Sequence, residues 1–401
     1  MSGFDHHDAA LADGERYRYY DELRGCPIGR SERYGGFWIL ARFADVAEAA
    51  SDWSTFSSAS SVLHPVDLNR RAPQVGLEQD PPVHTAYRKL YAELLSRARV
   101  RAAEPFVRGL TRRCLAELAE NGGDFVERVG VPVPIETIAH LLGLDAEPTR
   151  QLRELSEAAW AALQRPAPPA PTGHGPPLTL SRLLRNEAQQ RRQEPREDFL
   201  SLVVHAEIDG EPISELGLGS FLVGAVIAGH DTTLAAATNL AYQLAIEPGL
   251  AARLRAEPGL IPRAVDESLR HRGPVQNFFR TVTRDVALGE AALTAGDKVM
   301  LCFGAANRDP AQFADAERFD IDRYTDDREA GRHLAFGWGV HRCAGEFLAE
   351  MELRVLVEEL LRYELSEPGP LKTAPTAYGA FLAIESLPLS LTPLTPLPSC
   401  R

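Results

Sequence analysis

Ser214 to Ile246, SELGLGSFLVGAVIAGHDTTLAAATNLAYQLAI, reads as one uninterrupted helix whose apolar residues cover nearly every face. Ser214 is the natural N-cap, because its hydroxyl can accept an orphan N–H of the first turn. A helix apolar all round has no face to give to water, so other elements must bury it. Its most apolar run, Leu216 to Gly229, is shorter than the roughly 20 residues a bilayer span needs. The covering elements are therefore expected from the chain itself. Helical spacing supplies them at Tyr17 to Arg24, Ala44 to Ser51, Val100 to Glu120, Ile135 to Leu142, Thr149 to Leu163, Leu178 to Gln193, Asp198 to Ala206 and beyond Pro262. Strand-like pieces are few: Phe37 to Arg42, Arg280 to Leu288 and Lys298 to Phe303. The predicted fold class is mainly α with a small β portion. No Ser/Gly-rich linker divides the 401 residues, so residues 1–401 are read as one domain. About the first 15 residues are read as a mobile terminus.

Composition narrows the function classes. A net charge of −13 argues against general nucleic-acid binding. Cys26, Cys114, Cys302, Cys343 and Cys400 are scattered and form no CxxC pair, so neither a disulfide framework nor a zinc site is indicated. That usage fits a reducing cytoplasm. The polar, acidic N-terminus reads as neither a signal peptide nor a membrane anchor, and His6-His7 reads as a terminal pair rather than a metal site.

Three stretches carry chemistry. Phe336-Gly337-Trp338-Gly339-Val340-His341-Arg342-Cys343-Ala344-Gly345 delivers one cysteine to the start of a helix marked by Phe347, Leu348, Met351 and Val355. The helix N-terminus favours a thiolate, and Gly337 and Gly339 let the backbone approach a flat object. A lone buried, inert cysteine is the alternative. Asp80-Pro81-Pro82-Val83-His84-Thr85-Ala86-Tyr87-Arg88 opens a helix with Asp80 as N-cap. His84 and Arg88 then share a face, either as a solvated pair or opposite an anion. Third, Ala228-Gly229-His230-Asp231-Thr232-Thr233 puts Gly, Thr and an acid in the middle of the apolar helix. Gly costs about 1 kcal/mol against Ala there, and Thr hydroxyls compete for helix carbonyls. The combination suggests a local helix opening with a proton route, or a kink with a helix-internal ion pair.

Taken together, these stretches resemble the cytochrome P450 family over about Phe37 to Ile384. Phe-Gly-x-Gly-x-His-x-Cys-x-Gly is similar to that family's haem-ligand loop, AGHDTT to its oxygen-activation motif, and DPPxHxxxR to its haem-facing helix. The resemblance implies a P450-like fold with the long helix over the haem and the cysteine loop beneath it. It implies haem (heme b, iron protoporphyrin IX) with Cys343 as the axial metal ligand. His84, Arg88, Arg280 and His341 would bind the haem propionates. Asp231 and Thr232 would act as an acid–alcohol pair that handles protons. Glu267 and Arg270, with Arg318 from Ala316-Glu317-Arg318-Phe319, would form a buried network bracing the cysteine loop.

The implied activity is a haem-thiolate monooxygenase that hydroxylates or epoxidises a small lipophilic metabolite such as a terpenoid, polyketide or aromatic compound. Oxidative aromatic coupling, a carrier-tethered substrate, or a non-catalytic docking module are the alternatives. Dioxygen is the co-substrate. Electrons would come from NAD(P)H indirectly, through a ferredoxin and ferredoxin reductase, because the chain has no flavin or iron–sulfur motif. Arg97, Arg99, Arg101, Arg108, Arg112, Arg113 and Arg342 would form either a basic face for that partner or an ordinary solvated helix surface. The pocket is expected from Ser54 to Gln79, Val226 to Thr232, Val275 to Phe279 and Tyr378 to Ile384. Arg165 to Pro177 is expected to be a Pro-rich lid or a spacer. No membrane partner is expected.

Overall fold

The computed structural model describes residues 3–8, 11, 15–26, 28–65, 73–163, 176–324, 332–375 and 379–394. Its helices are α1 (Glu15–Gly25), α2 (Phe43–Ser51), α3 (Val83–Leu94), α4 (Arg97–Asn121), α5 (Pro132–Leu142), α6 (Ala146–Leu163) and α7 (Pro176–Gln193). They continue as α8 (Phe199–Val203), α9 (Glu215–Ile246), α10 (Leu250–Ala256), α11 (Ile261–Arg272), α12 (Phe303–Ala306) and α13 (Glu346–Leu360). The 165–177 stretch expected as a lid, and Tyr378 of the expected pocket, fall largely or wholly outside the described residues.

The central apolar helix is α9. Ser214 caps it as expected, accepting from Gly217 N at 3.0 Å. At 32 residues it is long and apolar enough to cross a bilayer by length and composition, which its shorter apolar run did not suggest. However, 72% of an apolar 18-residue stretch of it is buried within the protein. Helices α5, α6, α7, α11 and α13 all pack on it. The helix also runs unbroken through AGHDTT, so the expected local opening is absent. Gly229 serves a different need: a Cβ there would come within 2.8 Å of Ile138 Cδ1 on α5. The missing side chain lets α5 close against α9.

The β portion is one five-stranded sheet and several short pairs. In that sheet Phe37–Leu40 lies parallel to Lys298–Leu301, which runs antiparallel to Phe278–Val282. The apolar faces of these strands form two further clusters beside the main helical core. The N-terminus is less free than expected. His6 is only 2% exposed, and its Nε2 lies 2.7 Å from the carbonyl of His64 beside the sheet.

Asp80 does not cap α3. Its carboxylate accepts instead from Ser57 Oγ and from Ser58 N, and Pro82 precedes the helix. The expected acid–arginine network exists with a different third member. Arg270 forks onto Glu267 with both bonds at 2.8 Å, and both side chains are fully buried. The second arginine is Arg323, with Nε 3.3 Å from Glu267 Oε1. Arg318 contributes its backbone carbonyl, which accepts from Arg270 and Arg323. The network reaches the cysteine loop through Asn307. Arg270 Nη1 donates to Asn307 O, Leu334 N donates to Asn307 Oδ1 at 2.6 Å, and Gly337 N donates to Leu334 O.

Removing one member of a buried ion network leaves a buried charge uncompensated, at a cost of about 3–5 kcal/mol. Glu267→Gln should lose stability on that scale in urea melts. Arg318→Ala, which keeps its carbonyl, should stay within about 0.5 kcal/mol of the parent. A comparable loss for both would mean that the Arg318 side chain is part of the network.

Candidate active site

Cys343 is placed by its loop rather than by the helix after it. Cys343 N donates to Phe336 O at 2.8 Å, and Arg342 N to Gly339 O at 3.1 Å, which closes the loop on itself. Gly337 and Gly339 both sit at φ +69°, in the left-handed region. At Gly339 there is a close approach to protein: a Cβ would come within 2.5 Å of Ala50 O on α2. Helix α13 starts three residues later, and Gly345 N points at the Cys343 Sγ from 3.3 Å. That N–H favours the thiolate, as the sequence suggested. Burial outweighs it and holds the free thiol above its ordinary pKa. A bound metal would take the proton off, since a coordinating thiol is deprotonated outright.

The loop and α9 face each other across a cavity of about 280 Å³. Cys343, His341, Arg88 and Arg280 line it on the loop side, and Asp231 and Thr232 on the α9 side. Val75, Leu77, Ile227, Val275, Phe278 and Phe381 give it an apolar wall. Each segment expected to line the pocket contributes, although Val226 is fully buried in the core. Tyr91 and Ile138 also line the cavity and were not anticipated. Tyr91 was within reach of sequence reasoning, because it follows Arg88 by three residues and so shares its helix face.

Around Cys343 the guanidiniums bond backbone carbonyls and the histidine rings bond nothing. Arg88 Nη2 donates to Arg342 O at 2.6 Å. Arg280, 3% exposed, donates to its own neighbour's carbonyl at Phe279. His84 does not line the cavity but stands edge-on to His341, with ring centroids 4.3 Å apart. All four ring nitrogens of this pair are buried without a hydrogen-bond partner. Burial and then the Arg88 guanidinium push His84 down to about 4. Burial, then Arg280, His84 and Arg88, push His341 down to about 3. Burial lowers Arg280 to about 10, with Asp80 pulling the other way.

Each buried polar group left unpaired costs about 1–3 kcal/mol. Four such nitrogens beside two guanidiniums describe a site missing anionic acceptors. Haem carries two carboxylates and an iron that takes an axial thiolate. The residues present fit it: Cys343 can hold the iron, and His84, Arg88, Arg280 and His341 the carboxylates.

On the other wall, Asp231 is 7% exposed, and burial raises its carboxyl above the ordinary range against a lowering pull from His230. Thr232 Oγ1 donates to Ala228 O at 2.7 Å, one turn back. The outer face near the loop is mixed in charge rather than basic. Arg108 and Arg112 are held by Glu104, Glu358 and Glu359, Arg342 by Glu346, and Arg97 lies over the Phe347 ring at 4.1 Å.

The cysteine loop faces the long helix and its acid–alcohol pair across the cavity, and the comparisons show the family: the chain belongs to the cytochrome P450 family. The sequence model for Cytochrome P450 matches residues 179–388. Cytochrome P450-terp of a Pseudomonas species is 31% identical over 383 residues, covering 88% of each chain. Cytochrome P450 130 of Mycobacterium tuberculosis is 35% identical over 336 residues, covering 81% of each. The solved structure of cytochrome P450 CYP109Q5 from Chondromyces apiculatus superimposes with a TM-score of 0.85 at 29% identity, over 98% of this chain and 99% of that one. The chain is thus a P450 monooxygenase of mainly α fold, and its family uses haem and dioxygen.

The depressed histidines make a pH test of the donor cluster. A group whose folded pKa lies below its unfolded value of about 6.5 binds protons more readily when unfolded, so acid favours unfolding. The haem-free chain should lose stability as pH falls from about 6.5 to about 4 for His84. His84→Gln should flatten that decline in thermal melts. An equally steep decline in the variant would show that His84 is not the titrating group.

Proposed function

We propose that this chain is a haem-thiolate monooxygenase in which Cys343 ligates the iron and His84, Arg88, Arg280 and His341 hold the haem carboxylates. The observation that carries the reading is the set of partnerless buried ring nitrogens of His84 and His341, with the Arg88 and Arg280 guanidiniums beside them. Haem, when bound, supplies dioxygen activation, with the thiolate favouring O–O cleavage, so that one oxygen atom enters the substrate and the other becomes water. That balance consumes two electrons and two protons from outside the substrate. The electrons come from NAD(P)H through a ferredoxin and its reductase.

The chain's own residues do the rest. The apolar wall of Phe278, Phe381, Val275 and Ile227 holds a small lipophilic substrate and excludes bulk water. Asp231, its carboxyl raised above the ordinary range by burial, serves as the acid, and Thr232, which lines the cavity, passes the proton on. Insertion of oxygen at a C–H bond or a double bond is the reaction this site suits. The chain works as one unit over residues 1–401, because the donors come from α3, the sheet and the cysteine loop together.

Two substitutions test the assignments. Cys343→His should abolish the thiolate-type absorption band of the reduced carbon monoxide complex, and a surviving band would rule out Cys343 as the ligand. Thr232→Ala should leave substrate affinity near normal while product per NAD(P)H falls, because proton delivery is worth about 10²–10⁴ in rate. Unchanged coupling would remove Thr232 from the proton path. A library screened for shifts of the haem absorption band identifies the substrate class.

A further inference from the structure

His230, one residue before Asp231, is 1% exposed. Its Nδ1 lies 2.9 Å from Ser156 Oγ on α6 and 3.0 Å from Asp231 Oδ1. Ser156 is itself 2% exposed. The Nε2 of His230 is buried with no partner. A buried N–H without an acceptor is the rarer and costlier orphan, so on a neutral ring the proton belongs on Nδ1 and Nε2 is bare. One N–H then meets two acceptors. The approach to Asp231 has the distance of a hydrogen bond but not its direction, because Oδ1 is left without a donor. In this arrangement the proton goes to Ser156.

We propose that His230 is a positioning residue whose Nδ1–H is contested by Ser156 and Asp231, so that the seating of α6 sets whether the Asp231 carboxyl keeps its proton. This rests on the reading of Asp231 as the proton-delivering acid. With Ser156 in place, Nδ1–H is directed mainly at the serine, so His230 exerts only part of its pull on the carboxyl, which burial keeps above its ordinary range. With α6 displaced, Nδ1–H turns to Oδ1 and stabilises the carboxylate. The acid is thereby loaded more readily when α6 is seated on α9.

The surroundings leave His230 as the group that decides this. On the α5 side the same turn of α9 meets Ile138, and the buried Glu352 of α13 is bonded to Thr137 of α5. The Glu267–Arg270 pair of α11 is engaged elsewhere, with Arg323 and with the carbonyls of Asn307, Ala316 and Arg318. Arg88, Arg280, His341 and Cys343 line the cavity that Asp231 also lines. Among the described residues, His230 is the titratable group that acts on the Asp231 carboxyl.

The test titrates the infrared band of the protonated Asp231 carboxyl in the substrate-free, haem-loaded enzyme, identifying the band by its loss in Asp231→Asn. Ser156→Ala frees Nδ1–H for Asp231, so the band should disappear at a pH about one unit lower, a tenfold change in the proton equilibrium. His230→Leu removes the donor, so the band should persist to higher pH. Ser156→Thr should restore the parent titration. The pH profile of product per NAD(P)H should move with the band in each variant. A titration that moves the same way in Ser156→Ala and His230→Leu, or in neither, overturns the proposal. Unchanged coupling in Asp231→Asn sinks the proton-delivery reading and this proposal with it, even when the band moves. A band that stays put while Asp231→Asn uncouples the enzyme sinks the His230 proposal alone.

Discussion

The interaction on which the rest depends is one the chain cannot complete alone: buried cationic and N–H donors around Cys343 with no anion to receive them. His84, His341, Arg88 and Arg280 come from α3, the cysteine loop and a sheet strand, so three separate parts of the fold converge on one point. Two guanidiniums beside two buried, unpaired imidazoles, whose charging the site suppresses, are an unfavourable convergence by themselves. It becomes favourable once carboxylates sit among the donors, because charge-assisted bonds to desolvated groups are the strong ones. Cofactor binding and folding are therefore linked here. A ligand that binds only the folded state stabilises it in proportion to the logarithm of its concentration over its dissociation constant.

The second wall of the cavity shows the opposite economy. Helix α9 satisfies its backbone internally, hides most of its apolar surface under the surrounding helices and takes up a glycine at 229 so that α5 can close. Against that dry background, His230 and Asp231 bury ionisable groups in mid-helix. A carboxyl in such surroundings keeps its proton more readily than it would in water, and that is what a site needing an acid at neutral pH requires.

Much of this was legible in the sequence, and the failures have physical causes. The order of helices, the long buried helix and the cysteine loop follow from periodicity and glycine spacing, which are local. Arg323 was missed in favour of Arg318 because ion pairing across an irregular loop depends on which side chain turns inward, and no periodicity encodes that. Asp80 was taken for a cap because Asp-Pro-Pro has the composition of a helix start, yet its carboxylate is claimed by Ser57 and Ser58. The expected helix opening at AGHDTT did not form because Gly229 answers to the Ile138 side chain. His230 was overlooked because its partner, Ser156, is 74 residues away. The arginine-rich face was read from its arginines alone, while the acids that pair with them stand partly on α13.

The contact between Gly339 and the backbone of α2 sets the last point. The cysteine loop is registered there against a carbonyl of another element, main chain on main chain, with no side chain between them. Such a stop has no rotamers to relax and no volume to trade, so the outer surface of α2 can vary in sequence without moving the sulfur. Conversely, any shift of α2 as a body is delivered to the loop undamped. The position of the sulfur is thus buffered against substitution and exposed to mechanics.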